Sequence, residues 1–305
     1  MPLCRLISII VCVLILVITV GCQKDTDITV IDFSKTVAIE RPGNQTQSDS
    51  TFRVAVASMI SPKETVVHYH RLLDYIATKL QREIEFIQRK TYGEINELLR
   101  DGKIDMGFIC SGPYATCRKK YGFKALVVPQ VRGKHFYQSY LIVNRDSSFN
   151  KLDDLKGKTF AFTDPESNTG KLVPTYWLAQ KGENPQHFFG KTLYTYSHDN
   201  SIMAVAESLV DGAAVHGQIW DYYNIRNPAF TYQTRIIRKS EPFGNPPLVV
   251  SSKMPEPLQE QVRQLFFSMH RDPVGKKILD ELMIDRFIAP QENWYDSIVQ
   301  MEQKL

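Results

Sequence analysis

Phe162-Thr163-Asp164-Pro165-Glu166-Ser167-Asn168-Thr169-Gly170-Lys171-Leu172-Val173-Pro174 is the stretch on which the reading of the fold turns. An apolar run closes at Phe162, a turn opens at Asp164-Pro165, and small polar residues lead into a helix carrying Tyr176, Trp177 and Leu178. Strand, turn and helix start together form the repeating unit of an α/β sheet. Ser167, Asn168 and Thr169 ordinarily cap such a helix by accepting from its unpaired backbone N–H groups. The same geometry also suits a tetrahedral oxyanion, which would take the free amides while the Ser167 and Thr169 hydroxyls donate. Spacing alone leaves both readings open.

Working outward, the alternation continues in both directions. Apolar strand patterns fall at 52–57, 84–87, 104–109, 125–128, 139–143, 159–162, 193–196, 213–215, 234–237 and 248–250. Val66, Val67, Leu72, Leu73, Ile76 and Leu80 recur at helical spacing, and further helices are expected near 92–101, 113–120, 170–181 and 199–209. Two such series predict two lobes of parallel α/β sheet, with extended segments at 139–145 and 245–251 carrying the chain across and back. The expected division is 51–141 with 249–305 for the first lobe and 142–248 for the second; the end from Pro255 reads as amphipathic helices. Ligands of such sheets sit at the carboxyl ends of strands, so a cleft with helix starts facing inward would trap an anion.

The N-terminus reads differently. Leu6 to Val20 is apolar, follows Arg5, and is shorter than the roughly 20 residues that span a bilayer. It resembles a signal peptide over 1–21 that ends in Gly21-Cys22, where Cys22 would be lipidated and would hold the domain at a membrane surface. Polar residues 22–50 then read as a tether. Of five cysteines, only Cys110 and Cys117 remain for the folded part, and both are expected free. Composition excludes other classes. With 43% hydrophobic and 23% charged residues the chain is globular, and a net charge of +4 without a basic stripe argues against nucleic acid as a partner.

Asp164-Pro165-x-Ser167-x-Thr169-Gly170-x-x-x-Pro174 resembles the phosphate-binding turn of the phosphate/phosphite/phosphonate periplasmic binding proteins of ABC transporters. Three more segments agree in order: Ile104–Phe108 followed by Ser111-Gly112-Pro113-Tyr114, Tyr137-x-Ser139 leading into Tyr140–Val143, and Ser197-His198-Asp199 followed by Ala204-Val205 and Val210-Asp211. The resemblance covers about residues 52–290. It implies a type II periplasmic binding fold with two hinge crossovers, and a monomer that is not an enzyme and needs no cofactor or metal. It further implies a small oxyanion ligand, an ABC permease as partner, and a place in the periplasm or at the cell surface. A sensory subunit serving a histidine kinase or chemoreceptor is the alternative. Carried over by position, Ser167, Asn168, Thr169 and Gly170 would meet the anion, His198 would donate to an oxygen, and Ser111 opens a helix toward the cleft. Tyr92 and Tyr137 match positions that cover the ligand, with lobe packing as their other reading. Relatives that bind an amino-phosphonate pair its ammonium with acidic groups. The matching positions here are the neutral Gln218 and Asn245, so 2-aminoethylphosphonate is not expected to be preferred. Cys110 reads as a small buried residue or as a soft ligand for arsenite.

His68 and His70 point to different helix faces and form no metal pair, and Ser167, His198 and Asp199 lack the elbow of a hydrolase. No phosphate-binding nucleotide loop occurs, so a partner would consume the ATP.

Overall fold

The computed structural model describes residues 51–305; the expected signal peptide, Cys22 and the expected tether lie outside the described residues. Thr51–Val56 (β1) leads to Pro62–Leu80 (α1), which opens on proline, carries Glu64 in its first turn and Lys79 in its last. Proline suits a first helical position because no amide partner is lost there, and the charges oppose the helix dipole. Glu83–Ile87 (β2), Tyr92–Arg100 (α2), Met106–Phe108 (β3), Ser111–Tyr121 (α3) and Lys124–Gln130 (β4) follow. A capping box between Thr91 and Glu94 fixes the start of α2. The chain then crosses through Phe136–Tyr137 (β5).

The second half comprises Ser139–Asn144 (β6), Thr159–Phe162 (β7), a wide turn over Asn168–Leu172 running into Val173–Ala179 (α4), Pro185–Phe188 (α5), Lys191–Tyr194 (β8), His198–Ala206 (α6), Gly212–His216 (β9), Gly217–Arg226 (α7) and Thr234–Lys239 (β10). The return passes Phe243–Gly244 (β11), then Leu248–Val250 (β12), Glu256–Ser268 (α8), Pro273–Glu281 (α9), Arg286–Ile288 (β13) and Asp296–Glu302 (α10).

Strands β13-β4-β12-β3-β1-β2 form one sheet, β10-β6-β9-β7-β8 a second, and β11-β5 the short ladder between them. Three features differ from the sequence reading. The sheets are mixed rather than parallel, because each half receives a strand straight from the hinge: β12 runs antiparallel to β3 and β4, and β6 antiparallel to β9. The crossings themselves are Phe136–Tyr137 and Phe243–Gly244, paired antiparallel. Ser139 already pairs with His216 in the second sheet, and Leu248 with Phe108 in the first, so boundaries at 141 and 248 fall inside strands. Finally, the C-terminal segment is not all helix: Arg286–Ile288 adds an edge strand on β4.

Alternate residues of each strand serve opposite faces. Val54, Val56, Met106 and Phe108 pack with Leu72 and Ile76 of α1 and Phe266 of α8, whereas Ala55 of β1 joins a different cluster on the other face. In the second half Ile142, Ala161 and Val215 meet Ile202 and Val205 of α6, while Leu141, Phe160, Phe162 and Ala214 face Trp177 and Leu178 of α4. Phe160 is fully buried and stacks on Phe189 at 4.3 Å. Phe160→Ala is expected to lower stability by about 3–5 kcal/mol, read as an earlier urea midpoint at unchanged slope; a shift under about 1 kcal/mol would mean that this face is not a packed core.

Candidate functional site

The turn after β7 is wider than an α-helical one: the Val173 amide donates five residues back to the Asn168 carbonyl, and Leu172 donates to Ser167. Such widened turns gather at functional positions, but here the amides expected to be free are taken. Gly170 N donates to Ser167 Oγ, and Lys171 N and Leu172 N donate to the Ser167 carbonyl, which leaves the side chains as the groups that could meet a ligand. Ser167 is its cap, accepting from the Gly170 amide at 3.0 Å, so the capping reading holds for this residue. Its hydroxyl proton remains to be donated elsewhere. Gly170 is required for room: a Cβ there would lie 2.4 Å from Thr163 Oγ1.

Around this turn the two halves bring together side chains far apart in sequence. Asn168 Nδ2 donates to the Tyr137 hydroxyl at 3.0 Å, and that hydroxyl also bonds Ser111 Oγ. Tyr137 stacks on His216, with ring centroids 4.1 Å apart. Cys110 lies close to the Asn168 backbone, and the Tyr92 hydroxyl lies close to Ser167 without meeting hydrogen-bond geometry. Burial pushes the Cys110 thiol up to about 11, so it is protonated at neutral pH, in line with its reading as a small buried group. Burial also raises both tyrosines well above their ordinary value, keeping them hydrogen-bond donors.

His198 is held in one protonation state. Its Nδ1 accepts from the Thr163 hydroxyl at 3.0 Å and from the His216 amide at 3.1 Å. Desolvation pushes its pKa well below 6.5, so the ring is neutral, and with Nδ1 occupied as an acceptor its one proton sits on Nε2. That nitrogen is a fixed donor. Desolvation lowers His216 as well, to about 3.

Four buried polar atoms in this cluster have no hydrogen-bond partner: Thr169 Oγ1, Asn168 Oδ1, Tyr92 Oη and His216 Nδ1. Leaving one such group unpaired costs about 1–3 kcal/mol, so four together identify a place where something else is meant to bind.

The remaining expected residues behave differently. Gln218 Nε2 donates to Asn245 Oδ1 at 3.0 Å and to the Phe136 carbonyl, and Asn245 Nδ2 donates to the Pro129 carbonyl at 2.8 Å. Asn245 is therefore committed to the hinge and stands apart from the cluster, while Gln218 reaches a neighbouring cavity. Thr163, Ser139 and the linking role of His216 were not anticipated. Ser139 Oγ donates to the Thr169 carbonyl at 2.7 Å and steadies the turn from β6; only its place in the Tyr137-x-Ser139 pattern hinted at this.

Contacts also clasp the halves. Tyr92 N donates to Asp164 at 3.1 Å, Asn96 Nδ2 to Glu166 at 2.7 Å, Ser61 N to Asp199 at 2.8 Å, and His198 N to the Met59 carbonyl at 2.9 Å. Burial raises the pKa of both Asp164 and Glu166.

Two mixed sheets joined by a double-stranded hinge and clasped over buried donors define a two-lobed periplasmic binding protein of type II. Solved structures agree. The chain superposes with a TM-score of 0.78 on a binding-protein component of an ABC phosphonate transporter from Pseudomonas aeruginosa, at 24% identity over 83% of this chain and 85% of that one. It superposes at 0.75 on a Prochlorococcus marinus protein in complex with methylphosphonate, at 20% identity over 84% and 98% of the two chains. The phosphonates-binding periplasmic protein of Escherichia coli is 26% identical over 247 residues, which is 79% of this chain and 72% of that protein. A sequence-family model for the periplasmic substrate-binding proteins of ABC phosphonate transporters matches residues 54–295, and the chain belongs to that family. It is a family of binding proteins and not of enzymes. Among the described residues no helix is long and apolar enough to cross a membrane.

The two neutral histidines set a pH dependence. Their folded pKa values lie below the unfolded value near 6.5, so the unfolded chain takes up protons that the folded one refuses. Their contribution is complete above pH 6.5 and is lost as pH falls through the window toward about 3 given by His216. Stability is expected to drop by up to about 1.4 kcal/mol per pH unit per histidine below that point, and His216→Phe should roughly halve the slope in urea titrations between about pH 6 and 5. Identical slopes in the two proteins would show that His216 is not buried neutral.

Proposed function

We propose that this protein captures a small phosphorus oxyanion at the Ser167–Gly170 turn and delivers it to an ABC permease. The observation that carries the reading is the set of partnerless polar atoms on Thr169, Asn168, Tyr92 and His216, enclosed by both halves at one helix start. The Thr169 and Tyr92 hydroxyls, the Ser167 hydroxyl and His198 Nε2 all donate, and all are neutral, so they meet an anion without drawing a counter-ion in with it. Asn168 Oδ1, an acceptor, suits the one O–H of a monoprotonated oxyanion. Contacts from both halves make the clasped form the one the ligand favours, which is how binding drives hinge closure.

Among such anions, methylphosphonate, phosphite and phosphate fit the donors. An ammonium placed against Gln218 and Asn245 would meet amides that are neutral and already paired with each other. In calorimetric titration of the folded domain, methylphosphonate or phosphite is expected to bind more tightly than 2-aminoethylphosphonate. Thr169→Val should weaken that binding by about tenfold to a hundredfold, the worth of one charge-assisted hydrogen bond, with thermal unfolding unchanged. Undiminished affinity in the variant would remove the turn from the site.

We further propose that Cys22 carries a lipid that holds the domain at the membrane surface. Cys22→Ala is expected to move the full-length protein from the membrane pellet to the soluble fraction on extraction without detergent. An unchanged partition would exclude the anchor.

A further inference from the structure

Asn96 of α2 is 2% exposed, and its side chain is only half paired. Nδ2 donates to Glu166 Oε2 at 2.7 Å across the halves, whereas Oδ1 is buried with no partner. The group beside it is a carboxyl, which has a donor to offer only when it carries a proton. A carboxylic acid and a primary amide pair through two bonds: the amide N–H meets one carboxyl oxygen, and the acid O–H meets the amide carbonyl. Half of that arrangement is already in place. Gly93 makes room for the other carboxyl oxygen, since a Cβ there would lie 3.0 Å from Glu166 Oε1.

The charges around Glu166 act in the same direction. Asp164 belongs to its own turn, Glu97 to α2, and the thiols of Cys110 and Cys117 stand at the start of α3 and within it. Glu94, Tyr92 and Tyr194 face Asp164 in turn. None of these groups is a cation. The two carboxyls nevertheless have different surroundings. Asp164 is fully buried and accepts from two backbone amides, Tyr92 N at the start of α2 and Glu166 N at 2.8 Å, which suits a negative charge at a helix N-terminus. Glu166 has one side-chain amide and reaches solvent along part of its length, through which a proton can enter. Burial and the charge of Asp164 raise its pKa. Neighbouring carboxyls placed this way divide into one ionised and one neutral. An oxyanion arriving at Ser167–Gly170 adds negative charge within a few residues of the pair and favours the neutral acid further.

We propose that Glu166 closes against Asn96 as the neutral acid, its O–H donating to Asn96 Oδ1 while Oε2 goes on accepting from Nδ2, so that capture of the oxyanion takes up a proton from solvent. With the halves apart Glu166 is a solvated carboxylate with its ordinary value near 4.5, and closing becomes less favourable as pH rises above that value. Protons thereby regulate the oxyanion site, tightening it as the surroundings turn acidic. The linkage rests on the proposed function, and its test separates the two.

Methylphosphonate and phosphite are titrated calorimetrically into the folded domain and into Glu166→Gln between about pH 4 and 7, and circular dichroism confirms that both proteins are folded at each pH. The introduced amide donates and accepts at Asn96 as the protonated acid does, with no proton to gain. Ionisation of the ligand and of the buried histidines is common to both proteins and cancels in the ratio of their dissociation constants. The wild-type value divided by the Glu166→Gln value is expected to be near one toward about pH 4 and to rise about tenfold or more by pH 7. A ratio that stays level or falls as pH rises overturns the proton and leaves the oxyanion reading intact. Binding of neither anion to either protein overturns the oxyanion reading and the linkage together.

Discussion

Hydrogen-bonding groups taken out of water and left without partners are the constraint from which the site's organisation follows. Thr169 Oγ1, Tyr92 Oη, Asn168 Oδ1 and His216 Nδ1 are buried and unpaired, although other groups beside them find partners. The Ser167 hydroxyl caps Gly170, Ser139 holds the Thr169 carbonyl, and Asn168 Nδ2 takes Tyr137. The protein has spent its own groups on fixing the orientation of the others. A donor that is already oriented loses little freedom when an anion arrives, which is why preorganised dipoles hold charge well in a dry site.

That preorganisation depends on the hinge. Tyr137 lies in the short ladder between the sheets, with its ring on His216 and its hydroxyl reaching both Ser111 of the first half and Asn168 of the second. It touches both halves at the place where the chain crosses between them. Gln218 and Asn245 brace the same region by binding each other and the backbone at Phe136 and Pro129. A neutral amide pair suits this role, since its hydrogen bonds are made without a buried charge to compensate.

Much of this was legible in the sequence because it is local. The strand at 159–162, the turn at Asp164-Pro165 and the helix starts at Tyr92 and His198 follow from apolar period and capping chemistry, which act over a few residues. The division of roles within Ser167-Asn168-Thr169 did not follow, since all three residue types can cap and only the register of the turn decides which one does. Mixed sheets were missed for a similar reason: the direction of β12 is set by where the hinge delivers the chain, and Leu248-Val249-Val250 has the same apolar pattern whichever way it runs. The His216 contacts were beyond reach because the Ser139–His216 pairing joins segments 77 residues apart, and only the assembled sheet places that ring against Tyr137.

His198 shows how the assembled sheet becomes chemistry. The amide of His216 reaches His198 Nδ1 only because β9 ends where α6 begins, and the Thr163 hydroxyl reaches it from the end of β7. Three elements meeting at the carboxyl edge of one sheet therefore place the imidazole proton on Nε2. Burial without a counter-ion favours the neutral ring over the imidazolium, so this donor keeps the same charge through the pH range where histidines usually titrate. Neutral donors also hold an anion less tightly than fixed cations do. The Asp164–Tyr92 and Glu166–Asn96 contacts close the halves over these hydroxyls and amides, and without them water would compete for the same groups directly.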